Sequence, residues 1–138
     1  MSVERTLALI KPDATGRGMQ GKIIDRVLQS GFAILTMKQI RLSRPKAKAF
    51  YKEHEGRPFY ESLCDYMCSG HIVAMTLEKE NAIDDWRELM GATNPADAAE
   101  GTIRKEFAVD IEKNSVHGSD SPSSAHREVP FFFSQLEY

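Results

Sequence analysis

His117 lies in the run Asn114-Ser115-Val116-His117-Gly118-Ser119-Asp120-Ser121, where a glycine and small hydroxyl side chains let a ligand approach an imidazole closely. Imidazole suits nucleophilic or acid–base work at neutral pH, because its ordinary pKa of about 6.5 leaves much of it unprotonated. On this segment alone two readings stand level: a catalytic histidine, or an exposed loop histidine that needs no explanation. His54 reads as a satisfied interior histidine beside Tyr51, and His126 as a surface residue of the last helix.

Other arrangements fail on their chemistry. Gly16-Arg17-Gly18-Met19-Gln20-Gly21 matches G-x-G-x-x-G, but the acidic residue that should hold a ribose about 20 positions on is missing from Thr36–Arg41. Read as a phosphate loop ending Gly21-Lys22, the stretch carries Ile23 where a hydroxyl must ligate magnesium. These glycines therefore read as a turn and a helix entry. Cys64, Cys68 and His71 fall short of four zinc ligands, and the i, i+4 cysteines fit one helix face as reduced thiols. No G-x-S-x-G elbow, H-R-D loop or D-F-G is present.

The hydrophobic pattern outlines the elements that must position such residues. Arg5–Ile10 is a β-type run stopped by Lys11-Pro12-Asp13, since Pro12 removes a backbone donor and biases Lys11 toward an extended conformation. Gly16, Gly18 and Gly21 form a flexible connection, and Ile23, Ile24, Val27 and Leu28 then recur at helical spacing up to Ser30-Gly31. Phe32–Leu42 reads as a second strand. Ser43-Arg44-Pro45 starts a helix whose inner face carries Ala47, Phe50, Tyr51 and His54. After Gly56-Arg57-Pro58, a helix face shows Phe59, Leu63 and Met67; Ile72–Leu77 is a third strand. Ala82, Ile83, Trp86, Leu89 and Met90 form the next apolar stripe, with Arg87 at its edge. A long loop from Gly91 leads to a short helix near Thr102–Phe107, and a fourth strand or its approach is expected within Phe107–Ile111. Ser121-Pro122 caps a last helix carrying Ala125, Val129 and Phe132, which Pro130 should kink or end early. The outline is an α/β or α+β sandwich of one sheet covered by helices.

Composition excludes several classes. The 138 residues suit one domain, 1–138; 41% are hydrophobic and 28% charged, as in soluble globular proteins. A net charge of −2 and a pI near 6.1 provide no broad nucleic-acid or membrane field, so any bound phosphate must be held locally. No apolar run approaches the ~18 residues of a membrane span, and MSVERTLALI lacks the pattern of a signal peptide, so a cytoplasmic protein is expected.

Three segments, ERTLALIKPD, GATNPADAAEGTIR and NSVHGSDS, resemble in order and spacing the hallmark segments of nucleoside diphosphate kinases, and the similarity runs from about Glu4 to Phe133. The resemblance implies a ferredoxin-like βαββαβ core of the α+β class, with a four-stranded antiparallel sheet covered by helices and a protruding loop around Pro95. It implies reversible ping-pong transfer of the terminal phosphate from a nucleoside triphosphate, mainly ATP, to a nucleoside diphosphate through a phosphohistidine on His117. By the same resemblance Lys11, Arg87, Thr93 and Arg104 surround the phosphates, Asn114 contacts the sugar and Lys11 reaches the 3′-hydroxyl region. Phe59 offers a stacking face that accepts any base, with Leu63 and Ile111 completing an apolar slot. Tyr51 supports the site, Glu128 accepts a hydrogen bond from the other imidazole nitrogen, and Ser119 lies nearby.

Mg2+ bridging the nucleotide's phosphates would cancel about two of some four negative charges, so no protein metal cage is required. The resemblance further implies a homo-oligomer, a dimer-based tetramer or hexamer, with Pro130 and the tail after Phe131-Phe132-Phe133 bearing on subunit packing. A catalytically silent nucleotide-binding or regulatory homologue is the alternative, and its mark would be a broken site. Here His117, Lys11, Arg87, Thr93, Arg104 and Asn114 all stand in place. A phosphotransferase acting on protein histidines would share the first half-reaction.

Overall fold

β1 (Val3–Ile10) alternates its side chains between two interiors, as a period of two demands: Leu7 and Leu9 enter one core, Ala8 and Ile10 the other, all fully buried. A strand buried on both faces belongs mid-sheet, and β1 pairs antiparallel with β3 (Ile72–Glu80) and with β4 (Val116–Gly118). β2 (Ala33–Ile40) pairs antiparallel with the far side of β3, with a register shift between Ile34 and Thr36, and the order is β2-β3-β1-β4. The computed structural model describes residues 3–137; Met1, Ser2 and Tyr138, the ends of the stretches read above, lie outside the described residues.

Helices cover both faces. α1 (Pro12–Thr15) and α2 (Gln20–Gln29) follow β1, α3 (Arg44–Phe50) and α4 (Tyr60–Met67) follow β2, α5 (Ala82–Met90) and α6 (Ile103–Phe107) follow β3, and α7 (Pro122–Phe132) follows β4. The βαββαβ path is therefore β1-α2-β2-β3-α5-β4, the α+β arrangement that the resemblance implies. On one face Ile23, Val27, Trp86 and Ile103 pack against Ala8, Ile10, Val73 and Met75. On the other, Phe50, Met67, Val129 and Phe132 pack against Leu7, Leu9, Ile72 and Ala74. Each fully buried large side chain contributes roughly 1.5–3 kcal/mol. Among the described residues no helix is long and apolar enough to cross a membrane.

Several local expectations are corrected. Gly21 lies inside the first turn of α2 rather than in the connection, and Pro12 at its N1 position starts the extra helix α1. Phe107–Ile111 holds no strand beyond the end of α6: the Asp110 carboxylate accepts from the backbone N–H of Glu112 and Lys113, folding the segment into a turn that leaves Val109 and Ile111 exposed. The fourth strand is Val116–Gly118, so His117 belongs to a strand and not to a loop. α7 starts as expected, with Ser121 and Ser124 forming a capping box ahead of Pro122. It runs past Pro130 to Phe132, because burial of Phe132 and Phe133 and the Phe133 N–H bond to Val129 C=O at 3.0 Å hold the last turn.

Candidate active site

His117 pairs with Leu9 across β1 and β4, so the sheet fixes its backbone. Its carbonyl accepts from Trp86 Nε1 at 3.2 Å, and Gly118 makes that approach possible: a Cβ there would stand 2.4 Å from Trp86 Cδ1 and 2.7 Å from Met90 Cε. The imidazole packs edge-on against Phe50 and Tyr51, with centroids 5.4 and 6.3 Å away. Its Nε2 lies 2.9 Å from Glu128 Oε1, which also accepts from Ser119 Oγ at 2.9 Å. Glu128 is buried on α7, and an ionised carboxylate accepts only, so Nε2 carries the proton and Nδ1 keeps its lone pair.

A cavity of about 980 Å³ opens beside the imidazole, and the expected nucleotide-binding residues line it from separate elements. Lys11 comes from the end of β1, Arg87 from α5, Thr93 from the loop after it, Arg104 from α6 and Asn114 from the approach to β4; Phe59, Leu63 and Ile111 form the apolar part of the wall. Lys11 is buried and donates to Asn114 Oδ1 at 2.8 Å. Burial and the neighbouring Arg104 pull its pKa down to about 8, against the opposing pull of Asp13 and Glu112. Arg104 is held by the carbonyls of Gly91 and Val116, each at 2.9 Å, while its buried Nε has no partner among the described residues. Burial and Arg87 lower its pKa to about 10, so it remains a cation at neutral pH. Asn114 ties the wall together through Nδ2, which donates to Thr93 C=O at 3.2 Å and Ile111 C=O at 3.0 Å.

The supporting residues sit behind this wall. Tyr51 does not line the cavity; it backs His117, and its buried hydroxyl has no hydrogen-bond partner among the described residues. Burial and the Glu128 charge push its pKa up, which keeps it a phenol able to donate. His54 departs from the interior reading: its side chain is 37% exposed and it lines the cavity mouth, 5.3 Å from the half-exposed ring of Phe59. Cys64 and Cys68 are free thiols.

Asp84, Glu88, Glu112 and Asp120 also line the cavity and were not singled out from sequence, because a carboxylate on a charged helix or in a polar loop carries no distinctive local pattern. Asp120 is the exception in placement, three residues from His117, and hydrogen bonding by Ser124 holds its pKa below the ordinary carboxylate value. Among the described residues no group of three or more His, Cys, Asp or Glu converges as a metal cage. Despite the carboxylates around them, Arg104 still depresses the Lys11 pKa and Arg87 still depresses that of Arg104, a repulsion that an entering polyanion would relieve, and a stacking surface beside them suits a planar ring attached to that anion.

Comparison with known proteins gives the same direction. The family model described as nucleoside diphosphate kinase matches residues 4–138. The nucleoside diphosphate kinase of Geobacter sulfurreducens is 58% identical and that of Trichlorobacter lovleyi 57%, each over 135 residues covering 98% of both chains. The crystal structure of the Aquifex aeolicus nucleoside diphosphate kinase superposes with a TM-score of 0.97 at 47% identity, covering 99% of each chain. The structure of a halophilic nucleoside diphosphate kinase from Halobacterium salinarum in complex with CDP gives 0.95 at 38% identity, covering 99% of this chain and 91% of that one.

Proposed function

The chain belongs to the nucleoside diphosphate kinase family, and on that premise we propose that its phosphotransfer from a nucleoside triphosphate to a nucleoside diphosphate runs through His117. The observation that carries the assignment is the Nε2 contact to Glu128, which leaves Nδ1 as the nitrogen able to attack.

Nδ1 attacks the γ-phosphorus in line, the P–N bond forms as the bond to the β–γ bridging oxygen breaks, and the diphosphate leaves with that oxygen. The imidazole becomes cationic at this moment, and the buried Glu128 carboxylate stabilises it through the Nε2–H bond. A terminal oxygen of the incoming diphosphate then attacks the phosphohistidine, the P–N bond breaks, and Nδ1 recovers its lone pair. The two halves are chemically alike, so the transfer is reversible.

Lys11, Arg87, Arg104 and the Thr93 hydroxyl are assigned to the phosphates, where charge builds in the transition state. The Arg104 Nε supports this, since on the cavity wall it is a buried donor without an acceptor among the described residues. Asn114 and Lys11 are assigned to the sugar, and Phe59, with Leu63 and Ile111, to the base, a combination that serves purines and pyrimidines alike. A divalent cation, Mg2+, carried on the phosphates would neutralise part of their charge, and the ionised Asp120 in the cavity is the carboxylate suited to meet it. We further assign the chain to the cytoplasm and to a homo-oligomer built from dimers; light scattering that reads only monomer over a wide concentration range contradicts the latter.

The test is exchange between ATP and a second diphosphate. His117→Ala should abolish exchange while still binding ADP; exchange surviving in that variant removes the nucleophile assignment.

A further inference from the structure

Just upstream of the nucleophile the backbone is bent in a way that L-residues avoid. Ser115 has φ 73, and the Val116 N–H donates to Asn114 C=O, two residues back, at 2.9 Å, so a γ-turn is centred on Ser115. A left-handed serine at such a turn is strained and persists only where its surroundings over-determine it.

Here one carboxylate does most of that. Asp13 Oδ1 accepts from the Ser115 N–H at 3.2 Å, and Asp13 Oδ2 accepts from the Ser115 hydroxyl at 3.1 Å. The Ser115 carbonyl accepts from the Lys11 N–H at 2.8 Å. Asp13 is itself clamped: its side chain is 4% exposed, the Tyr66 hydroxyl donates to Oδ1 and accepts from the Asp13 N–H at 3.0 Å, and Arg17 donates to Oδ2 at 3.3 Å. Tyr66 belongs to α4 and its core, so the end of β1, α1, α4 and the turn before β4 meet at Asp13. None of Asp13, Tyr66 and Ser115 lines the cavity. The turn they hold is flanked by residues that do: Asn114, bound to Lys11 Nζ, on one side, and His117 on the other, beyond Val116, whose carbonyl holds Arg104.

We infer that Asp13, Tyr66 and Ser115 form a positioning unit for phosphoryl transfer, fixing the strained turn so that Asn114 and His117 present their side chains to one substrate. The inference rests on His117 being the nucleophile. Because the three residues act on one turn, loss of any member releases the same constraint, and losses should not multiply.

The experiment is single-turnover phosphorylation of wild type, Tyr66→Phe, Ser115→Ala and the double variant by Mg-ATP, with ADP affinity and thermal unfolding measured on the same samples. Displacing a reacting group by about an ångström costs on the order of a hundredfold in rate, so the smaller release here is expected to slow phosphorylation roughly tenfold in each single variant. The double variant should match the singles, and ADP affinity should stay within about twofold. Ser115→Gly relieves the backbone strain and therefore keeps the fold accessible, yet it lacks the hydroxyl anchor and should be slow as well. Wild-type rates in folded variants, a double variant slowed by the product of the singles, or a loss confined to ADP affinity would each overturn the positioning role. Wild type separates the two claims: if it takes up no phosphate on His117, the nucleophile assignment fails, whereas phosphorylation at full rate in every variant removes only the positioning unit.

Discussion

Lys11 is a charge held inside the fold, 7% exposed, with burial and Arg104 pulling its pKa from 10.5 to about 8. At about 1.4 kcal/mol per pKa unit, keeping it protonated there costs the ligand-free protein roughly 3 kcal/mol. Lys11→Met keeps an unbranched stem and removes the charge. It also removes the 2.8 Å bond from Nζ to Asn114 Oδ1, at a cost of about 1–2 kcal/mol. The variant should therefore be more stable than wild type by about 1–2 kcal/mol, a few degrees in Tm at this chain length. In the same variant phosphotransfer should fall roughly 10- to 100-fold, because a charge-assisted contact to the phosphates, worth about 1.5–3 kcal/mol, is gone. The folded pKa of Lys11 lies below its unfolded value, so between pH 8 and 10.5 the unfolded chain binds more protons. Wild-type stability from this group thus rises with pH across that window and is flat below it, and the Lys11→Met variant lacks the rise. Urea unfolding of both proteins, repeated from about pH 7 to about pH 10, reads both effects. A variant less stable than wild type by about 1 kcal/mol at pH 7, or one that keeps the wild-type slope, refutes the view that this charge is held against its own folding cost for a phosphate ligand.

Gly118→Ala should destabilise the fold by about 1–3 kcal/mol in urea titration, since the new methyl collides with Trp86 and Met90; an unchanged midpoint contradicts the packing described. Phe59→Ala should raise KM for purine and pyrimidine diphosphates alike, roughly tenfold or more from lost stacking, and a selective effect on one base class would show base-edge recognition instead. Glu128→Gln should lower kcat about 10- to 100-fold in steady-state assays with little change in nucleotide affinity, because the amide cannot stabilise the imidazolium; a change in KM alone would remove that role.

Much of the fold was readable because its strands are apolar runs bounded by turn residues, as in Leu7 to Ile10 ahead of Pro12, and its helices carry apolar stripes, as in Ala82, Ile83, Trp86 and Met90. Local pattern failed where tertiary bonds decide. The β-prone residues Val109 and Ile111 are folded into a turn by Asp110, and His117 is made a strand residue by pairing with Leu9, far away in the chain. His54 carries helical spacing but lies in a 3-10 turn that brings it to the cavity mouth. The site residues themselves were legible through the resemblance of three segments. Their supports were less so: Asp13, Tyr66 and Ser115 come from distant stretches, and nothing in a serine's identity announces a left-handed backbone.

The most direct measurement is intact mass of the purified protein after brief incubation with Mg-ATP, beside His117→Ala, followed by addition of GDP or CDP. One acid-labile phosphate per chain, absent from the variant and discharged to form GTP or CTP, is the expected result. Folded, nucleotide-binding wild type that takes up no phosphate, or His117→Ala that takes it up equally, would contradict transfer through His117.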